Sequence, residues 1–206
     1  KINIDLKKIN VDLMSFSSHK LYGPKGIGAI YINSETAKNK LKPILFGGGH
    51  ESGFRPGTLA VHNIVGFGEA CKIAKEQLNH NHKTINSLRD IMLEKLSDGF
   101  NEVIVNGCIQ NRIPGNLNIS FPELNKEPFI QKFREIAVSS GSACTTSSPS
   151  PSHVLQALGL KKSLIERSIR IGIGKFNTLE DIEFASDYIL NVVNKLRVKR
   201  GVKNDK

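Results

Sequence analysis

The stretch that most restricts what this chain can become is Ser15-Phe16-Ser17-Ser18-His19-Lys20-Leu21-Tyr22-Gly23-Pro24-Lys25-Gly26-Ile27-Gly28. The run Val11-Asp12-Leu13-Met14-Ser15-Phe16 reads as a strand, and it delivers residues 17–20 to its end, where ligands usually sit in α/β sheets. The glycines that follow let the backbone turn tightly into a return strand over residues 26–32. Ser17 and His19 can donate hydrogen bonds to an anion, and the Lys20 amine can condense with a carbonyl group. Taken alone, these residues also describe an ordinary surface turn, so the remainder of the chain has to decide.

The 206 residues are enough for one domain or two small ones, and 39% hydrophobic with 23% charged residues is ordinary for a globular protein. The formal charge of +10 is spread along the chain, with a modest run only at Lys195-Leu196-Arg197-Val198-Lys199-Arg200, which reads as a solvated helix end. With 6% aromatic residues and no Trp there is little to stack on bases, so no nucleic-acid partner is expected. Cys71, Cys108 and Cys144 form no Cys-x-x-Cys pair, which argues against a disulfide framework or a zinc site and for a reducing compartment. No apolar run approaches the roughly 20 residues of a membrane helix, and no signal pattern opens the chain. A cytoplasmic or organellar-matrix location without a membrane partner is the expectation. The start at Lys1 without methionine predicts a fragment or processed product.

Further along, residues 34–42 read as a polar excursion and residues 46–58 as a glycine-dense loop. Residues 64–78 carry a helical stripe of Ile64, Phe67, Cys71, Ala74 and Leu78, which predicts Cys71 in the core. A polar break at residues 79–82, with His80 and His82 solvated, predicts a domain boundary before a second helix bearing Ile85, Leu88, Ile91, Met92 and Leu96. Strands are expected over 102–106 and 116–121, with nothing near Cys108 to activate its thiol. A helix over 129–135 and a short buried strand at Ala137-Val138 come next. Residues 139–152 are Ser-rich and read as an exposed loop in which the Cys144 thiol can reach a reaction partner. A short helix over 153–158 precedes a strand over 168–173, on which Arg170 faces away from Ile169 and Ile171. Thr178 and Asp181 form a capping box that starts the closing helix over 178–198, with Ile182, Ala185, Ile189, Val192 and Leu196 as its buried stripe. No internal repeat is present.

In combination the motifs have a recognisable company. Ser17-Ser18-His19-Lys20 leading into Tyr22-Gly23-Pro24-Lys25-Gly26-Ile27-Gly28-Ala29, then Gly47-Gly48-Gly49-His50-Glu51, Arg55-Pro56-Gly57-Thr58 and Ser139-Ser140-Gly141-Ser142-Ala143-Cys144, resemble the pyridoxal-phosphate cysteine desulfurases of the iron–sulfur-cluster-assembly group, within the class V aminotransferase superfamily. The resemblance implies an α/β fold of type I, with residues 1–78 the end of the large cofactor-binding domain. Residues 79–206 are then the smaller α+β carboxy-terminal domain carrying the Cys144 loop. It implies pyridoxal 5'-phosphate bound covalently at Lys20, phosphate ligands in Ser17 and His19, and a further one in Thr58 lent across a homodimer. Arg170 matches the arginine that grips the substrate carboxylate. Cys144 matches the cysteine that takes sulfur from L-cysteine, releasing L-alanine and leaving a persulfide for a sulfur acceptor or iron–sulfur scaffold protein. No metal ligand is implied.

Ser18 stands where the family usually has glycine, and Pro56 where serine or alanine is common. The family's amino-terminal half, with its ring-stacking histidine and the aspartate facing the pyridine nitrogen, has no counterpart in the chain. Weak or no activity alone is therefore the expectation unless that half is supplied in trans. Two other readings stay open: a related pyridoxal-phosphate lyase or aminotransferase, which would not need Cys144, and a non-catalytic half that docks to a partner chain.

Overall fold

A computed structural model of the chain describes residues 1–33, 40–122, 124, 129–140 and 151–197. Most of the expected polar excursion and the Cys144 loop up to residue 150 lie outside them. The chain divides into two compact units, Ile2–Asn79 and His80–Lys206.

In the first unit, β1 (Leu13–Ser17) and β2 (Gly28–Ile32) form an antiparallel pair in register from Leu13↔Ile32 to Ser17↔Gly28. A 3₁₀ turn over Ser18–Leu21 continues from β1. Opposite lies the start of α1 (Val61–Gly99). Phe16 meets Phe67 edge to face at 5.8 Å between ring centroids, a geometry that suits the ring quadrupoles. A Cβ on Gly66 would come within 2.7 Å of Pro24 Cγ, so the absence of a side chain there is what allows the helix to approach the turn.

The second unit is built on a three-stranded antiparallel sheet of order β3-β4-β5, with β3 at Ile104–Val105, β4 at Asn116–Ser120 and β5 at Ser168–Gly172. Period-2 alternation puts Leu117, Ile119, Ile169 and Ile171 on one face. These join Ile85, Leu88, Met92 and Leu96 of α1 and Ile182, Ile189, Val193 and Leu196 of α4 (Leu179–Leu196) in a single core. Phe100 and Phe121 close it edge to face at 5.3 Å. Each fully buried side chain of this size stabilises by about 1.5–3 kcal/mol. The capping box is formed: Asp181 N–H donates to Thr178 Oγ1 at 3.2 Å, and Thr178 N–H donates to Asp181 Oδ2 at 3.0 Å. Two short helices, α2 (His153–Ala157) and α3 (Lys162–Ile165), complete the unit.

Several expectations need correction. The polar stretch at 79–82 does not break the helix, because α1 runs unbroken for 39 residues. Asn and His cost only about 0.5–0.7 kcal/mol each in a helix relative to Ala, and the segment contains no proline. Cys71 is exposed, since the inward face here is set by Phe67 and Ala70 and Cys71 lies a further 100° round. The helix expected over 129–135 is a single 3₁₀ turn, Ile130–Lys132. Phe133 leaves helical dihedrals and packs its ring against Phe129 at 5.1 Å. Ala137-Val138 forms no strand; the pairing begins at Ser139, which bridges to Arg170.

Candidate functional site

At the end of β1 the chain folds back in a tight knot. Ser18 N–H donates to the Ile27 carbonyl and Gly23 N–H to the Ser18 carbonyl, both at 3.1 Å. Tyr22 takes the left-handed conformation at φ 64°. Ser18 is wholly buried, and its Oγ has no hydrogen-bond partner among the described residues. It lies where a Cβ on Gly23 would be 2.2 Å away, so the hydroxyl occupies the space that Gly23 leaves open.

Burial of Ser18 turns its neighbours outward. Ser17 Oγ and His19 Nδ1 are 2.9 Å apart and share one hydrogen bond. If the hydroxyl donates, His19 retains its Nε2–H; if the imidazole donates, Ser17 retains its O–H. In either case one donor is left for an anion. Lys20 is exposed and its amine has no ion-pair or hydrogen-bond partner among the described residues. No acidic residue occurs between positions 13 and 50 other than Glu35, which lies outside the described residues. The donors therefore suit a phosphate dianion, and the free amine suits an aldehyde, so the residues present fit pyridoxal phosphate.

Thr58 belongs to the same unit, three residues before α1, and is exposed at the end of the glycine-dense loop. That loop holds its shape through local bonds: His50 N–H donates to the Gly48 carbonyl at 2.9 Å and Arg55 Nη1 to the Gly57 carbonyl at 3.3 Å. Among the described residues no hydrogen bond ties Thr58 to the Lys20 turn. The structure thus brings Ser17, His19 and Lys20 together on one turn, while Thr58 stands separately in the sequence and Cys144 falls outside the described residues.

Arg170 lies on β5 in the second unit. It lines a cavity of about 340 Å³ on the sheet face opposite the apolar core, together with Asn106, Cys108, Arg112, Asn116 and Asn118. Arg112 donates from Nε to the Cys108 carbonyl at 3.1 Å and from Nη2 to the Asn106 carbonyl, while its buried Nη1 has no partner among the described residues. Burial, reinforced by the neighbouring Arg89 charge, holds the Arg112 guanidinium below its ordinary range. The Cys108 thiol donates to Gln110 Oε1 at 3.2 Å, and Asn111 N–H donates to its Sγ at 3.4 Å. The sequence reading did not connect Arg112, Asn116 and Asn118 with Arg170. The alternation of Asn-Leu-Asn-Ile-Ser was the available signal, because it places both asparagines on the face that Arg170 also occupies.

The class-V aminotransferase family model matches residues 1–184. A cysteine desulfurase IscS of Methylococcus capsulatus is 49% identical over 197 residues, covering 96% of this chain and 48% of that protein. A solved NifS-like protein superposes with a TM-score of 0.79 at 31% identity, covering 95% of this chain and 50% of the other. A structure described as SspA in complex with cysteine gives a TM-score of 0.64 at 34% identity, covering 85% and 47%. The chain spans about half the length of the curated relatives it matches. Among the described residues no helix is long and apolar enough to cross a membrane.

Proposed function

Because the chain belongs to the class-V aminotransferase family, we propose that it is the carboxy-terminal, lysine-bearing part of a pyridoxal-phosphate cysteine desulfurase that converts L-cysteine to L-alanine. The observation that carries this reading is the strand-end turn on which the unpartnered Lys20 amine stands beside the hydrogen-bonded Ser17–His19 pair. The identity to cysteine desulfurases supports the choice of substrate.

In this reading Lys20 holds the cofactor aldehyde, and Ser17 and His19 donate to its phosphate. Thr58 adds a donor from the second copy of a homodimer. When bound, pyridoxal phosphate supplies the electron sink for charge that develops at the substrate Cα. The Lys20 amine would move the Cα proton, and Arg170 would orient the substrate through its carboxylate. Cys144 takes the substrate sulfur: a new S–S bond forms as the C–S bond breaks, leaving a persulfide on Cys144 and L-alanine as product. The persulfide then passes to a sulfur-acceptor or iron–sulfur scaffold protein in the cytoplasm. Residues 1–78 serve as the end of the cofactor domain and residues 79–206 as the small domain, and turnover needs an amino-terminal half supplied with them.

The test assembles the chain with that half, adds pyridoxal phosphate and L-cysteine, and measures alanine and sulfide. Lys20→Ala should abolish both cofactor absorbance and turnover. Cys144→Ser should abolish persulfide formation while cofactor binding persists. Sulfur release unchanged in Cys144→Ser would overturn the desulfurase reading in favour of a lyase, and strong turnover by the 206 residues alone would overturn the need for the other half.

A further inference from the structure

We propose that Asn118 is a second substrate ligand, whose side-chain amide donates a hydrogen bond to the same carboxylate that Arg170 binds; this rests on the reading of Arg170 given above.

The argument begins with the ladder. Asn118 pairs with Arg170 across β4 and β5. Arg170 directs both its backbone groups away from β4, accepting from Ser139 N–H at 3.1 Å and donating to the Ser139 carbonyl at 2.6 Å. Asn118 likewise turns its carbonyl toward β3, where it accepts from Asn106 N–H at 2.9 Å. The two residues therefore form a non-hydrogen-bonded pair, the kind in which opposed side chains come closest, with Cβ atoms about 4.5–5.5 Å apart. They share one sheet face and line the same 340 Å³ cavity.

The Asn118 amide is also oriented. Its Oδ1 accepts from Asn106 Nδ2 at 2.7 Å. Asn106 is in turn fixed by Ser120, which exchanges hydrogen bonds with it at 2.8 and 3.0 Å, and Ser120 is joined to Ser168 at 2.7 Å. Asn106, Ser120 and Ser168 are all buried. With Oδ1 committed to this network, the Asn118 Nδ2 donor is left without a partner among the described residues, as is the Arg170 guanidinium. No carboxylate lines the cavity among those residues. Beside Arg112 Nη1, which has no partner among the described residues, the directly opposed Asn118 and Arg170 bring one neutral and one charged donor to a cleft without an acid, and these match the two oxygens of a carboxylate. Asn106 acts through Asn118 and is a positioning residue.

The experiment compares Asn118→Ala, Asn118→Asp and Arg170→Ala in the full-length enzyme. A hydrogen bond to a charged group implies a loss of about ten- to a hundredfold. Asn118→Ala should raise KM for L-cysteine by that factor with kcat within about twofold, and should weaken competitive inhibition by L-alanine equally while leaving inhibition by cysteamine, which lacks the carboxylate, unchanged. Asn118→Asp retains the acceptor that Asn106 needs and so keeps the network folded, yet should bind L-alanine at least as poorly, because it opposes like charges. An unchanged KM in Asn118→Asp, or equal losses for L-alanine and cysteamine, would overturn the assignment. If Arg170→Ala raises KM and the Asn118 variants do not, only Asn118 is wrong; if Arg170→Ala also leaves KM unchanged, the carboxylate reading of Arg170 falls with it.

Discussion

The two units draw on similar apolar residues and use them in opposite ways. In His80–Lys206, Leu96, Phe100, Ile119 and Ile189 are fully buried in one core. Among the described residues of Ile2–Asn79 the buried apolar side chains are Phe67 and Ala70, while Ile44 is 89% exposed, Phe46 86% and Val65 66%. A unit that closes on itself carries its own stability. One that leaves large apolar side chains in water has surface suited to burial against more protein, which agrees with the proposed homodimer.

The largest expected effect separates the units directly. Phe100→Ala should cost about 3–5 kcal/mol through cavity formation in the closed core, whereas Phe16→Ala, beside the partly open Phe67 contact, should cost about 1 kcal/mol. Urea denaturation of both variants checks this, and equal losses would break the contrast. Next comes the polar side of the closed unit. Asn106→Ala should cost about 1–3 kcal/mol by stranding Ser120 and its partners, and an unchanged denaturation midpoint would show that this face is not part of the rigid interior.

Smaller again, Thr178→Ala removes the α4 cap and should cost about 1 kcal/mol, seen as a lower denaturation midpoint with unchanged slope. The smallest effect depends on pH. Backbone hydrogen bonding, then the Thr178 hydroxyl, holds the exposed Glu180 carboxyl below its ordinary value of 4.5. A depressed carboxyl stabilises above the unfolded-state value, and that contribution is lost as pH falls through the folded one. The Tm gap between the wild type and Glu180→Gln should therefore be present at neutral pH and shrink below about pH 4.5; a gap that persists in acid would assign the effect to packing instead.

Local chemistry wrote much of this protein in plain view. Strand β1, its turn and β2 could be read from Ser15 to Ile32 because glycine placement and alternation act within a few residues. The α4 cap could be read from Thr178 and Asp181 for the same reason. The continuity of α1 could not, because a polar stretch reads as a break until packing on both sides of it is known. Nor could the exposure of Cys71, which depends on which helix face meets β1. Arg170 was recognisable through a family motif, but Asn118, Asn106 and Arg112 are 52, 64 and 58 residues from it in the chain. Only the β4–β5 register brings Asn118 opposite Arg170, and register is a property of the folded sheet. The Ser15–Gly28 stretch thus shows its strand–turn–strand form by itself, whereas the cleft lined by Asn118 and Arg170 exists only once distant strands have paired.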